Sequence, residues 1–342
     1  MLKLATRAFM GLALAGALLT GGQASAQTVW RFSNWVPPTH PLTVEVFKVW
    51  AQNVEKVTEG RVKVQFVSAL GNPPSHFDLV KDGVADVGMS TNSYTANRFI
   101  LTQGVELPFL APNAMSSCIA YWKTYEKFFA KADEYKGVHL VGIWTHGPGH
   151  IFTRDKKLAK ISDLDGLKMR VPGGLVNEIA KKLGTVPVFA PSSQAYDVLS
   201  KGVADGIFFP TESVYNFKIG PVIHEALEIP NGLYRTSMFL VVNQAKWDAL
   251  SDKDKKAIDG VSGMAVAKLA GAMWDKADAD GKAGLLKLGT TFTTASPEMM
   301  KNLHAKLDGM TEEWIARAKK ERGVDGKAAL AYFEQEVKAN AK

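Results

Sequence analysis

Hydrophobic and polar positions along this chain fall into two alternating periods. Thr28 to Asn34 alternates every second residue, the pattern of a half-buried strand, and runs into the proline-rich loop Trp35-Val36-Pro37-Pro38-Thr39-His40-Pro41. An amphipathic helix is predicted from about Leu42 to Thr58, closed by Glu59-Gly60. A second alternating run follows over Arg61 to Val67. A helix over roughly Pro74 to Lys81 precedes the strand Asp86-Val87-Gly88-Met89-Ser90, and Ser116 to Lys131 reads as an aromatic-rich helix. Val138 to Trp144 and Ile151-Phe152-Thr153 read as strands on either side of Gly147-Pro148-Gly149. Lys168 to Val171 is a short strand stopped by Pro172, and Leu175 to Leu183 has helical spacing and ends at Gly184. Val203 to Phe209 and Leu233 to Val242 are further strands. From Gln244 onward the pattern is almost wholly helical, over Trp247 to Leu288 and Pro297 to Lys320.

Strands alternating with helices predict an α/β fold. Leu79-Val80-Lys81-Asp82-Gly83-Val84-Ala85-Asp86-Val87-Gly88 is echoed by Leu199-Ser200-Lys201-Gly202-Val203-Ala204-Asp205-Gly206-Ile207. Each copy reads as a glycine-ended helix, a turn with Asp, and a strand, which favours two similar lobes over one continuous sheet. The Gly-Pro-Gly segment suits a crossover between them. The expected division is residues 27–148 plus about 236–275 for the first lobe. Residues 149–235 plus about 276–342 form the second lobe with bracing C-terminal helices.

Composition narrows the setting. Lys3 and Arg7, an apolar run from Ala8 to Leu19 and the small-residue site Ala24-Ser25-Ala26 predict a secretory leader over residues 1–26, with the mature chain starting at Gln27. No cysteine lies near that site, so a lipid anchor is not expected, and Cys118 is the only cysteine, so no disulfide framework exists. The net charge of +7 comes from interspersed residues with no long basic run, which does not suggest nucleic-acid binding.

Arg170 sits near the C-terminal end of the strand that feeds a helix, and the carboxyl edge of an open α/β sheet is where ligands bind. A planar, permanently charged guanidinium there suits a carboxylate. A surface ion pair is the competing reading of the local sequence. Asn92, Tyr94 and Trp144 are candidates because they sit at strand ends on the same kind of edge. His146 and His150 have the spacing of a helical metal pair, but Gly147-Pro148-Gly149 breaks any helix there and no metal or cofactor is expected. No Gly-x-Ser-x-Gly elbow and no phosphate loop is present.

Gly166-Leu167-Lys168-Met169-Arg170-Val171-Pro172 resembles the signature of the solute receptors of tripartite ATP-independent periplasmic (TRAP) transporters, the DctP-like family. Pro191-Ser192-Ser193-Gln194-Ala195-Tyr196, Gly202-Val203-Ala204-Asp205-Gly206, Pro210 and Asn243-Gln244-Ala245-Lys246-Trp247 are similar to the family's pattern in the same order. The resemblance implies a two-lobed periplasmic binding protein, type II-like, that closes on an organic anion and delivers it to a membrane permease. It places the family's carboxylate-binding arginine on Arg170 and implies a periplasmic location and no enzymatic activity. Departures from the family's pattern are also informative. His150 stands where many members carry a second arginine, Phe209 follows Phe208 where sugar-acid receptors have an amide, and Trp35 replaces small or polar residues. These changes imply an aromatic or hydrophobic monocarboxylate, a hydroxy or keto acid among them. The alternatives in class are a receptor for an ATP-driven transporter, an exported enzyme using His146 or His150 as general base, and a chemoreceptor accessory protein.

Overall fold

The computed structural model describes residues 27–341; the expected leader lies outside them. Eleven strands form two sheets. The first contains β1 (Thr28–Asn34), β2 (Val62–Ser68), β3 (Val87–Thr91), β4 (Val138–Thr145) and β10 (Ser237–Asn243), in the order β2-β1-β3-β10-β4. The second contains β5 (Gly149–Thr153), β6 (Lys168–Val171), β7 (Val186–Phe189), β8 (Gly206–Pro210), β9 (Glu225–Glu228) and β11 (Thr291–Thr294), in the order β11-β9-β5-β8-β6-β7. Read from β2 and from β7, the two sheets share one plan. Three parallel strands are followed by an antiparallel strand, β10 in one and β5 in the other. That antiparallel strand comes from the chain's crossing between lobes.

The sequence echo has a structural basis. Asp86 takes the backbone N–H of Arg31 in β1 at 2.8 Å, and Asp205 takes that of Lys168 in β6 at 2.8 Å. In return each Asp donates its own N–H to the same residue's carbonyl, at 3.0 and 2.7 Å. Each Asp thereby pins the start of the strand that follows it, β3 or β8, against a neighbouring strand, and the preceding Gly83 and Gly202 turn with positive φ.

The crossover expected at Gly147-Pro148-Gly149 joins β4 to β5, and residues 229–236 return from β9 to β10. A third connection is the helix Met264–Lys287. Gly271 lies against Met115 of the first lobe and Gly281 against Glu212 of the second, close approaches that a side chain would obstruct. The C-terminal residues depart from the expected division. β11 does join the second sheet, but Met310–Arg322 packs on Leu101–Glu106 and Gly326–Asn340 on the helix Ala114–Thr124, both in the first lobe. Met299, Leu303, Leu307, Trp314 and Phe333 fill one apolar core with residues of both lobes, so this region straddles them. The reason is physical: an amphipathic helix is held by whichever apolar face accepts its stripe.

Packing between β5 and β8 leaves no room at Gly206. A methyl there would sit 2.4 Å from the Phe152 carbonyl oxygen and 2.7 Å from Met169. The carbonyl belongs to the sheet and cannot retreat. Gly206→Ala is expected to cost about 2 kcal/mol, read as a melting temperature lower by roughly 5 °C. An unchanged melting curve would contradict this packing.

Candidate ligand-binding site

Between the lobes lies a cavity lined by residues of both. Trp35, Met89 and Tyr94 come from the first lobe, Arg170, Phe209 and Ser213 from the second, and His146, Tyr234 and Thr236 from the crossing segments.

Arg170 is fully buried at the end of β6. Its Nε donates to the Ala190 carbonyl at 2.8 Å, which fixes the plane of the guanidinium. Phe209 lies under it, with the guanidinium carbon 4.8 Å from the ring centroid. Nη1 and Nη2 are buried and have no hydrogen-bond partner in the protein. Burial holds the group's pKa below its usual value, opposed by the nearby hydroxyls of Tyr94 and Tyr234. Those hydroxyls favour the charge without reaching hydrogen-bond geometry to either terminal nitrogen. Orphaned donors of this kind are rare, because a buried polar group without a partner costs free energy.

The lobes meet around this site. Tyr94 and Ser192 lie 2.9 Å apart through their hydroxyls, and the Ser192 N–H donates to the Tyr94 oxygen at 2.9 Å. His40 Nε2 lies 3.0 Å from Glu212 Oε1 across the cleft, off the line of a good hydrogen bond. Burial pushes Glu212 up to about 8 and His40 down to about 3, so the pair meets as neutral groups near pH 7.

Four of the seven sequence candidates, Trp35, Tyr94, Arg170 and Phe209, border one cavity. Three do not. The ring of His150 turns away, its Nδ1 accepting the Ile229 N–H at 3.1 Å, and it borders a separate surface depression with Lys282 and Glu228. Asn92 lies behind the site, donating to Ser237 at 2.9 Å and Tyr135 at 3.2 Å. Trp144 fills the core beneath the helical turns Leu42–Phe47, with its ring 6.1 Å from Phe47. Phe208, counted with the aromatic residues of the pocket, faces the opposite side of β8 and joins the core. His40 belongs to the proline-rich loop and steadies it. Its Nδ1 accepts the Leu42 N–H at 3.2 Å, and its ring also borders the cavity. Tyr234, Thr236 and Trp274 were not anticipated as cavity residues. The signal for Tyr234 and Thr236 was available, since a segment returning between lobes must pass the cleft as the outgoing one does.

Two lobes of one plan, each lending the other an antiparallel strand and meeting over a buried cation, define the two-lobed periplasmic binding protein class. The chain belongs to the DctP family, the bacterial extracellular solute-binding proteins of family 7, whose model matches residues 32–317. It is 30% identical over 330 residues to the outer membrane transporter protein TsaT of Comamonas testosteroni, covering 96% of this chain and 97% of that one. Among solved structures, a TRAP periplasmic solute-binding protein of Bordetella bronchiseptica with bound (R)- and (S)-mandelate superposes with a TM-score of 0.89. Its identity is 39%, over 91% of this chain and 99% of that one. A TRAP solute-binding protein of Rhodoferax ferrireducens in complex with benzoate has a TM-score of 0.86 and 29% identity, over 92% of this chain and 99% of that one. The chain is therefore a TRAP-type solute-binding protein of a transport family, and the reading as a receptor for an ATP-driven transporter is set aside.

Proposed function

We propose that this chain is a periplasmic receptor that takes an aromatic monocarboxylate into its interlobe cavity and delivers it to a TRAP membrane permease. The observation that carries the reading is Arg170, whose two terminal nitrogens are buried, unpartnered and set in a largely apolar chamber. A carboxylate accepts both in parallel, a geometry that orients the anion as well as holding it. Trp35, Tyr94 and Phe209 offer ring faces for an aromatic body. The relatives solved with mandelate and benzoate carry ligands of this class. Among the described residues, no second lysine or arginine borders the cavity for a dicarboxylate's other end.

The mechanism is closure of one lobe on the other. A guanidinium desolvated without a counter-ion opposes closure, and the ligand's carboxylate removes that opposition. Closure and binding are thus linked, and the closed surface becomes what the permease recognises. A binding role without turnover is supported by the two histidines considered as bases: among the described residues neither His146 nor His150 has an orienting carboxylate in hydrogen-bond contact.

A thermal-shift panel tests the reading. Mandelate, benzoate and 3-hydroxyphenylacetate at one hundred times Kd are expected to stabilise the protein by about 2.7 kcal/mol, several degrees in melting temperature. Succinate, malate and gluconate are expected to give none. If only the dicarboxylates or sugar acids stabilise the protein, the aromatic reading fails.

A further inference from the structure

The cavity has a second set of polar groups besides Arg170. His146 is among them, fully enclosed, with its ring 5.4 Å from Tyr234 and 5.9 Å from Trp274. Its protonation is settled by two independent contacts. Nδ1 is 2.6 Å from the Gly147 carbonyl oxygen, which can only accept, so Nδ1 carries the hydrogen. Nε2 is 2.9 Å from the Thr236 backbone N–H, which can only donate, so Nε2 is bare. Both assignments describe the same neutral tautomer.

The Thr236 hydroxyl lies 2.8 Å from that bare nitrogen. At this distance its hydrogen must point at Nε2, because two facing lone pairs would repel. The hydroxyl's remaining capacity is therefore as an acceptor, and Thr236 borders the cavity. Trp274, beside His146, borders the same cavity, and its indole N–H is buried with no partner in the protein. The cavity thus offers both an acceptor with a fixed hydrogen and an unused donor, and together these complement a hydroxyl group.

We infer that Thr236, oriented by His146, is a specificity-determining residue that accepts a hydrogen bond from a hydroxyl on the aromatic acid. The inference rests on the carboxylate-at-Arg170 reading and goes beyond it, separating hydroxylated acids from their deoxy and keto counterparts. A keto oxygen would face the lone pairs of Thr236. A deoxy acid would leave both Thr236 and Trp274 without a polar ligand atom. Ser213, whose hydroxyl also borders the cavity and lies 2.7 Å from Glu212, serves as the control.

The test is titration calorimetry with mandelate against phenylacetate and benzoylformate, and 3-hydroxybenzoate against benzoate. The wild-type protein is expected to prefer the hydroxylated member of at least one set by roughly tenfold, the worth of one neutral hydrogen bond. Thr236→Val, which keeps the shape and the backbone N–H to His146, is expected to erase that preference while leaving the deoxy acid's affinity unchanged. Thr236→Ser is expected to retain the preference, and Ser213→Ala not to alter it. The inference is overturned if neither set shows a preference, if benzoylformate binds as tightly as mandelate, if Thr236→Val weakens hydroxylated and deoxy acids alike, or if Ser213→Ala removes the preference. Failure of the underlying reading looks different: none of these acids then binds.

Discussion

Arg170→Met is expected to lower affinity for the aromatic acid by roughly 10²–10³-fold, the cost of removing one partner of a desolvated ion pair. The same variant is expected to be no less stable than the parent without ligand. The guanidinium's only hydrogen bond in the protein is the one from Nε to Ala190, and its two terminal nitrogens are buried and unused. Methionine fills a similar volume without a charge to desolvate. This opposite movement of affinity and stability separates a binding role from a structural one. A structural arginine, replaced in the same way, would lower both. Arg170→Lys keeps the charge but not the planar fork, and is expected to lie between the two. Affinity within threefold of the parent for Arg170→Met, measured by calorimetry, would remove the ion pair from the mechanism.

What was legible in the sequence divides by the length and placement of each signal. The strand Lys168–Val171 was readable because Pro172 and two glycines bound it, and the place of Arg170 near its carboxyl end pointed to a ligand by the geometry of α/β sheets. The equivalence of β3 and β8 in the two lobes was readable because two Asp residues perform the same strand-pinning task in similar words of sequence. β7, β9 and β11 were not, since each has four residues, too few for a period to stand out. The cavity was half legible. Residues at strand ends can be nominated from sequence, but which way a side chain turns there depends on its hydrogen-bond partners. His150 turns to the backbone of Ile229, and Asn92 to Ser237 and Tyr135, partners that lie far away in the chain. Thr236 and Trp274 reach the cavity only through the return of the chain and the long helix, which no local pattern encodes.

Stability is expected to fall by about 3 kcal/mol between pH 6.5 and pH 8.5, and affinity for the anion to fall with it. Burial pushes Glu212 up to about 8 and Asp278 up to about 7, and Glu106 likewise to about 7. The unfolded chain releases these protons near its ordinary carboxyl values, so across the window the folded state holds more protons than the unfolded one. Each unit of pH then favours unfolding. The buried His40, His146 and His150 act the other way, held neutral with values of about 3 against an ordinary 6.5. Their contribution rises with pH only up to about 6.5, offsetting the carboxyls below that point and leaving them unopposed above it. Melting temperature should therefore be flat or maximal in mildly acid solution and decline through pH 8. Glu212 connects this decline to function, because it sits behind Ser213 and meets His40 across the cleft. Once ionised, it sets a negative charge beside the cavity that takes an anion. Glu212→Gln keeps the amide-compatible contacts to Ser213 and Asn216 and is expected to remove about half of the alkaline decline in both stability and affinity. A parent protein whose melting temperature is level from pH 6.5 to 8.5, or a variant with the parent's slope, would show that Glu212 is already ionised at neutral pH and that its proton does not govern closure.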